Sequence, residues 1–433
     1  MLTRRQILTT AAMAPAIVPS SVFGAQAPSK RMTIGFIGTG NNGSGWMEPF
    51  LKNPRVHVAA VCDVNRESAG YWNGTVRGSE PARLQVNKAY GNQDCRVYTD
   101  YHELLSRNDI DAVYIGTPDH WHALQAVHAA QAGKHILCQK PLATTIAEGR
   151  AMVNAVHKAG VVWQTGSQQR SDWAFQRVRE LVRSGRIGKV YMVRIGLPGG
   201  IPDFGKTAAE TSTRPVPDGF LYDQWLGPAP EAPYSPARVG VNFRWNRDYS
   251  GGQLTDWGAH NLDISSWLLD RENDGPIKIR YAHGQWAEHP IYNTATDFYY
   301  ECEFADGLRY QISSSERHGV RLVGTDGWIF ATRGNIEASF PLPEAKLTAA
   351  EKKQKPDNVE VHCRNFVESV FGETKPVAPI EAAQRAITIA HLGNIALTVG
   401  RDLEWNPAKE QIANDSAANK MLSREYRKPY RLG

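Results

Sequence analysis

Cysteine is scarce here and unpatterned. The five residues (Cys62, Cys95, Cys138, Cys302, Cys363) are odd in number and scattered, so they offer no disulfide framework and no metal-type pairing. Cys62 and Cys138 fall in apolar runs and read as small core residues. No H-E-x-x-H occurs, and Asp256 and His260 have no evident third ligand nearby, so no metal site is expected. After the first residues, no apolar run approaches the length of about 20 needed to span a membrane. Charge of neither sign dominates: 49 Lys and Arg against 44 Asp and Glu leave +5. No basic stripe carries interleaved aromatics, which argues against a nucleic-acid partner. Internal repeats and low-complexity tracts are also missing. What remains is an ordinary globular balance over 433 residues, enough for two or three domains.

The first 27 residues stand apart. Thr3-Arg4-Arg5-Gln6-Ile7-Leu8 precedes a mild apolar run, Ala11 to Val18, and then Ala25-Gln26-Ala27. Basic, apolar and small-residue regions in that order form an export signal, and the paired arginines point to the twin-arginine route, which carries folded proteins. The expected location is the periplasm, with no membrane segment left after export.

From Ile34 to Asp63 the chain carries a single device. Ile34-Gly35-Phe36-Ile37 leads into Gly38-Thr39-Gly40-Asn41-Asn42-Gly43, a G-x-G-x-x-G. A second apolar run, Val58-Ala59-Ala60-Val61-Cys62, ends in Asp63, twenty positions past the last glycine. In that strand context the pattern is the dinucleotide-binding fingerprint. Gly38 allows the tight turn, Gly40 lets backbone approach the pyrophosphate, and Gly43 lets the helix pack closely. The helix start, with Asn41 and Asn42, offers free N–H groups and a partial positive charge to the phosphates. Asp63 would accept from the ribose hydroxyls and repel a 2′-phosphate, so NAD is expected rather than NADP. Gly45 and Pro49 predict a short or kinked helix after the loop.

Strand patterns at 33–37, 57–62, 95–98, 111–116, 135–138 and 161–165 alternate with helical ones at 101–107, 120–132 and 145–159. This predicts a doubly wound parallel sheet over 32–167. The stretch Asn65 to Gly91 exceeds one helix, and its centre, Asn73 to Pro81, reads as an inserted loop. A second α/β domain is expected over 168–433. It starts with a helix at 173–184 and a strand at 188–196, followed by an irregular Gly/Pro-rich stretch from Leu197 to Gly240. Alternating strands at 277–288, 297–304, 308–315, 320–324 and 328–332, with hairpin signals between some of them, predict an open, mostly antiparallel sheet. Helices follow at 359–371 and 380–400. The polar tail from 405 either packs along the surface or is disordered.

Three clusters carry chemistry. Thr117-Pro118-Asp119-His120-Trp121-His122 ends the fourth strand, Gln139-Lys140-Pro141-Leu142 ends the fifth, and Gly251 to Asp263 opens a helix in the second domain. Together with the fingerprint, in this order and spacing, they resemble the Gfo/Idh/MocA family of nicotinamide-dependent oxidoreductases over about residues 32–400. Strand ends in such a sheet point into the cofactor crevice. Thr117 and Pro118 are expected on its nicotinamide side, with His120 and His122 close behind. The resemblance implies that Lys140 lies near the substrate hydroxyl. Asp256 and His260, spaced i, i+4, would share a helix face. His260 or Lys140 would take the hydroxyl proton while the other polarises the oxygen, and Asp256 could orient or charge-stabilise His260. Trp257, Trp121, Gln168 and Arg170 are expected around the sugar pocket; Arg244 and Trp245 are weaker candidates. Gln139 stands where the family motif usually has glutamate, which takes away a negative neighbour that would favour a protonated lysine.

The resemblance implies an NAD-dependent oxidoreductase acting on a secondary hydroxyl of a small carbohydrate (a sugar, polyol or glycoside), in a homo-oligomer. Two alternatives have other signatures. An NAD-dependent glycosidase would oxidise C3 transiently, eliminate the aglycone and accumulate no NADH. A non-enzymatic sugar or nucleotide sensor would not need Lys140, Asp256 and His260.

Overall fold

The computed structural model describes residues 31–432, so the export signal lies outside the described residues. Six short apolar strands form a parallel sheet: β1 Met32–Ile37, β2 Val56–Cys62, β3 Arg96–Tyr98, β4 Ala112–Ile115, β5 His135–Cys138 and β6 Trp163–Thr165. Their order is β3-β2-β1-β4-β5-β6, the doubly wound order in which the strand sequence reverses beside β1. The helices α1 Asn41–Lys52, α2 Ser79–Tyr90, α3 Tyr101–Leu105, α4 Asp119–Gln131 and α5 Ile146–Ala159 connect them. Near-continuous apolar strands such as Ala112–Ile115 are buried throughout, as a sheet covered on both faces requires.

Two local expectations change. α1 runs unbroken through Pro49. The N–H that Pro49 lacks would have served the carbonyl of Gly45, which is exposed, so water can satisfy that carbonyl. The predicted loop of 73–81 is shorter, because α2 already starts at Ser79.

The second sheet has nine strands, ordered β13-β12-β11-β7-β10-β9-β8-β14-β15. It comprises β7 Val190–Gly196, β8 Lys278–Trp286, β9 Ala295–Glu303, β10 Arg309–Ser313, β11 Gly319–Gly324, β12 Gly327–Thr332, β13 Asn335–Ala338, β14 Leu403–Asn406 and β15 Gln411–Ile412. All neighbours are antiparallel except β7 and β10. The last three strands were not legible, being short and polar. α6 Trp173–Arg183 precedes β7, and the irregular stretch holds one five-residue helix, α7 Tyr222–Leu226. Then come α8 Gln253–Asp256 and α9 Gly258–Leu268; beyond the strands lie α10 Ala349–Lys353, α11 Asn358–Val370, α12 Ile380–Val399 and α13 Ser416–Lys420.

The two halves share their cores. Cys363, Phe366 and Val367 of α11 are buried in the cluster under β1 and α1, with Phe366 edge-on to Phe50 at 6.4 Å. Each such side chain contributes about 1.5–3 kcal/mol. α12 packs against both α9 and α5. This shared packing sets the second half at the C-terminal ends of β4 and β5. No helix among the described residues is long and apolar enough to cross a membrane.

Candidate active site

A crevice of about 1060 Å³ opens along the C-terminal ends of β1, β2, β4 and β5. Its floor is the glycine loop. Gly38 has φ +84°, and a Cβ there would come within 2.5 Å of the Thr117 nitrogen. A Cβ on Gly43 would meet the Gly38 carbonyl oxygen at 2.0 Å, so this glycine closes the loop on itself and does not reach the crevice. Gly40, Asn41 and Asn42 line the crevice at the start of α1. Asp63 lies alongside: its Oδ2 accepts from the Thr39 backbone N–H (2.7 Å) and hydroxyl (2.9 Å), and its Oδ1 from the Asn65 N–H. Burial pushes the Asp63 carboxyl up from its ordinary value, and these hydrogen bonds oppose that. Thr117 and Pro118 line the wall, as expected.

At the other end, Lys140 leaves the end of β5 and meets Asp256 at the end of α8. Lys140 Nζ donates to Asp256 Oδ1 at 2.5 Å and to its backbone oxygen at 3.1 Å, with both side chains largely buried. Arg244 Nε approaches the same Oδ1 at 3.4 Å. Burial alone would raise the Asp256 carboxyl, but the Lys140 and Arg244 charges outweigh it and hold it at about 2. Trp257 separates α8 from α9 but keeps near-helical dihedrals, so Asp256 and His260 both face the crevice. Burial, then the nearby Lys140, Arg333 and His318, hold His260 well below its usual value, so it is neutral.

One expected contact is not made. The Asp256 carboxylate serves Lys140 and Arg244 and does not orient His260, whose Nδ1 is buried without a partner. Asp256 also gives Lys140 an anionic neighbour that position 139 lacks. Gln139 instead turns to the glycine loop, where its Oε1 accepts from Asn42 Nδ2 at 3.3 Å.

Three other assignments are corrected. His120 is fully buried away from the crevice, with Nε2 at 2.9 Å from the Trp225 carbonyl, and burial lowers it to about 3. His122 is buried between the carbonyls of Pro141 (2.8 Å) and Thr117 (3.0 Å), so it ties the β4 and β5 loops together from behind. Arg170 is 1% exposed and forms a bidentate pair with Asp263 at 2.6 and 2.7 Å, plus contacts to Glu272 and the Val377 carbonyl. It staples α9 and the α11–α12 connection and touches no crevice. Gln168, Trp257 and Trp121 do line the crevice. So does Arg244, whereas Trp245 is buried elsewhere and donates to the Pro202 carbonyl.

Several lining residues had no motif to mark them. Tyr71 and Trp72 come from the loop before α2, Phe204 from the irregular stretch, Arg333 from the β12–β13 turn and Tyr430 from the tail. Trp72 stacks on Phe204 with ring centroids 4.2 Å apart, and the Val241 N–H donates to the Gly70 carbonyl. These contacts roof the crevice. The tail is pinned by Arg424 and Tyr426 on buried Glu148 and by Arg427 on Asp223, and sets Tyr430 edge-on to Trp121.

The oxidoreductase-family model for an NAD-binding Rossmann fold matches residues 32–167, and the model for the family's C-terminal alpha/beta domain matches 172–432. The chain belongs to the Gfo/Idh/MocA oxidoreductase family. Its relatives in that family include the uncharacterized oxidoreductase YrbE of Bacillus subtilis, 24% identical over 342 residues (78% of this chain, 79% of that one). Myo-inositol 2-dehydrogenase of Thermotoga maritima is 30% identical over 241 residues, spanning 56% of each chain, so that match covers about half of its length. A glycosyl hydrolase family 109 protein of Saccharopolyspora erythraea is 29% identical over 163 residues, 36% of this chain and 33% of that one. The fold matches the WlbA dehydrogenase from Bordetella pertussis, solved with NADH and UDP-GlcNAcA, at TM-score 0.65 and 17% identity over 87% of this chain and 98% of that chain.

The crevice fits NAD, the cofactor of this Gfo/Idh/MocA chain. A Cβ at Gly40 on the crevice wall would come within 2.8 Å of the Tyr71 ring, and two lining amides carry buried atoms without partners, Gln139 Nε2 and Gln168 Oε1.

Proposed function

We propose that this oxidoreductase acts in the periplasm on a secondary hydroxyl of a sugar, polyol or glycoside. The observation that carries the reading is the meeting of Lys140, Asp256 and His260 at the β5 end of the cofactor crevice. NAD, when bound, exchanges a hydride with the carbinol carbon. Gly38, Gly40, Asn41, Asn42 and Asp63 would hold its phosphates and adenosine ribose, and Thr117 and Pro118 would line its nicotinamide side. The Lys140 ammonium, kept in place by Asp256, donates to the substrate oxygen. Neutral His260 has a lone pair free to take the hydroxyl proton. Gln168 and Trp257 form the walls around the substrate.

Lys140→Ala and His260→Ala should each lower kcat by about 10²–10⁴-fold, the usual contribution of a positioned acid or base. NAD affinity should stay near that of the parent. The double variant should lose far less than the product of the two effects, since both groups act on one oxygen. Turnover near the parent rate in a folded, NAD-binding His260→Ala protein would remove His260 from the chemistry.

The roof over the crevice favours a second reading. With Trp72 stacked on Phe204 and Gly70 bonded to Val241, a cofactor retained through turnover suits cleavage of a glycoside by C3 oxidation, aglycone elimination, water addition and re-reduction. Aglycone release without NADH accumulation would select it, and stoichiometric NADH would refute it.

A further inference from the structure

The β5 end of the crevice carries more positive charge than proton transfer uses. Lys140, Arg244 and Arg333 line it, and among the described lining carboxylates only Asp256 is in ion-pair contact with any of them. That carboxylate is already shared, at 2.5 Å from Lys140 and 3.4 Å from Arg244. Arg333 has no ion-pair partner among the described residues. Its Nε donates to Gln169 Oε1 at 3.3 Å, and neither Nη makes a hydrogen bond to a described residue. The guanidinium rests over the Trp257 indole, with Cζ 4.7 Å from the ring centroid, while His318 packs edge-on against the same indole at 4.3 Å. Arg333 is exposed and lines the crevice, close enough to His260 to oppose its protonation.

The support under Arg333 is rigid. It occupies the two-residue turn Arg333-Gly334 between β12 and β13, with Gly334 at φ +65° and the flanking pair Thr332–Asn335 in register. A planar guanidinium with a free Nη edge matches the paired oxygens of a carboxylate or a phosphate. The carboxylate neighbours of Arg333, Asp172 and Asp256, act on it electrostatically without ion-pair contact, so its Nη donors are left for a ligand's charge.

We propose that the substrate is an anionic sugar whose carboxylate or phosphate group binds Arg333 while its reacting hydroxyl meets Lys140 and His260. This rests on the reading that the crevice acts on a sugar hydroxyl. It adds that a second, charged substituent of the same molecule sets specificity.

The test compares three forms of gluco- and galacto-configured sugars: neutral, uronate and 6-phosphate. Binding to the NAD-loaded protein is titrated by tryptophan fluorescence at 0.15 M salt, and turnover is followed by NADH. At least one acidic form should bind about 10- to 100-fold tighter than its neutral counterpart, the worth of a charged hydrogen-bonded pair. Whether the uronate or the phosphate gains identifies the group. Arg333→Gln should erase the difference while leaving neutral-sugar and NAD affinities within about twofold, and Arg333→Lys should restore part of it. Equal binding of neutral and acidic forms, equal losses for both in Arg333→Gln, or no binding of any form overturns the proposal. Neutral sugars turned over as well as acidic ones would overturn it and leave the sugar-hydroxyl reading of the site standing. Acidic sugars bound through Arg333 with no form turned over would defeat that reading and, with it, the assignment of the anion as substrate.

Discussion

Removing the charge of Asp256 tests the electrostatics of the site without touching the cofactor cradle. In the parent, the carboxyl is held at about 2, against an ordinary 3.8, by Lys140 and Arg244 acting against burial. Holding the carboxyl that far down favours the folded, ionised form by about 2 kcal/mol. Asp256→Asn keeps the shape and removes that contribution, leaving Lys140 and Arg244 to face each other. The folded-state value lies below the unfolded one, so the contribution is fully present above pH 4 and fades as pH falls through about 2. At pH 3, roughly half of it should remain. Urea unfolding of parent and variant at pH 7, 5, 4 and 3 should show a gap of about 2 kcal/mol that holds down to pH 4 and then narrows. Equal stability at pH 7, or a gap that does not change at pH 3, would refute the reasoning. The first result would mean that burial cancels the pair, the second that the loss comes from packing.

Asp63→Asn keeps an acceptor for Thr39 but removes the charge that repels a 2′-phosphate; the NAD-over-NADP preference should narrow by about 10- to 100-fold in direct titrations. Tighter NADP binding by the parent would defeat the role given to Asp63. Tyr430→Ala should weaken NAD binding by about 3- to 10-fold, the worth of one aromatic wall, with unfolding midpoints unchanged because Arg424, Tyr426 and Arg427 still pin the tail. Unaltered NAD affinity would place Tyr430 outside the cofactor's reach. Replacing Arg4 and Arg5 by Lys should hold the precursor in the cytoplasm, and normal periplasmic recovery would rule out the twin-arginine route.

Much of this molecule is written locally. The parallel sheet, its alternation with helices and the glycine loop follow from periodicity and turn chemistry within stretches of about 30 residues. Strand ends also point to function, because in a doubly wound sheet they face the crevice. That logic located Thr117, Pro118 and Lys140. It failed two residues past Pro118, on α4: successive helical side chains diverge by about 100°, so Asp119 lines the crevice while His120 turns into the core. Arg170 misled for a related reason. Beside a strand end it looked like a pocket residue, but Asp263 and Glu272, some 90 to 100 positions on, claim its guanidinium.

The sequence by itself determined the sheet, the cofactor and the pair Lys140 and His260, since each sits in a motif whose geometry is short-range. Only the tertiary structure decided what surrounds them. Tyr71, Phe204, Arg333 and Tyr430 reach the crevice from a loop, an irregular stretch, a hairpin turn and the tail, and none of these settings has a period or motif that announces it. Packing of α11 and α12 against the parallel sheet brings those segments over the strand ends. The charge arrangement that follows, Lys140 and Arg244 on Asp256 with Arg333 and a neutral His260 nearby, belongs to that packing and not to any single stretch of chain.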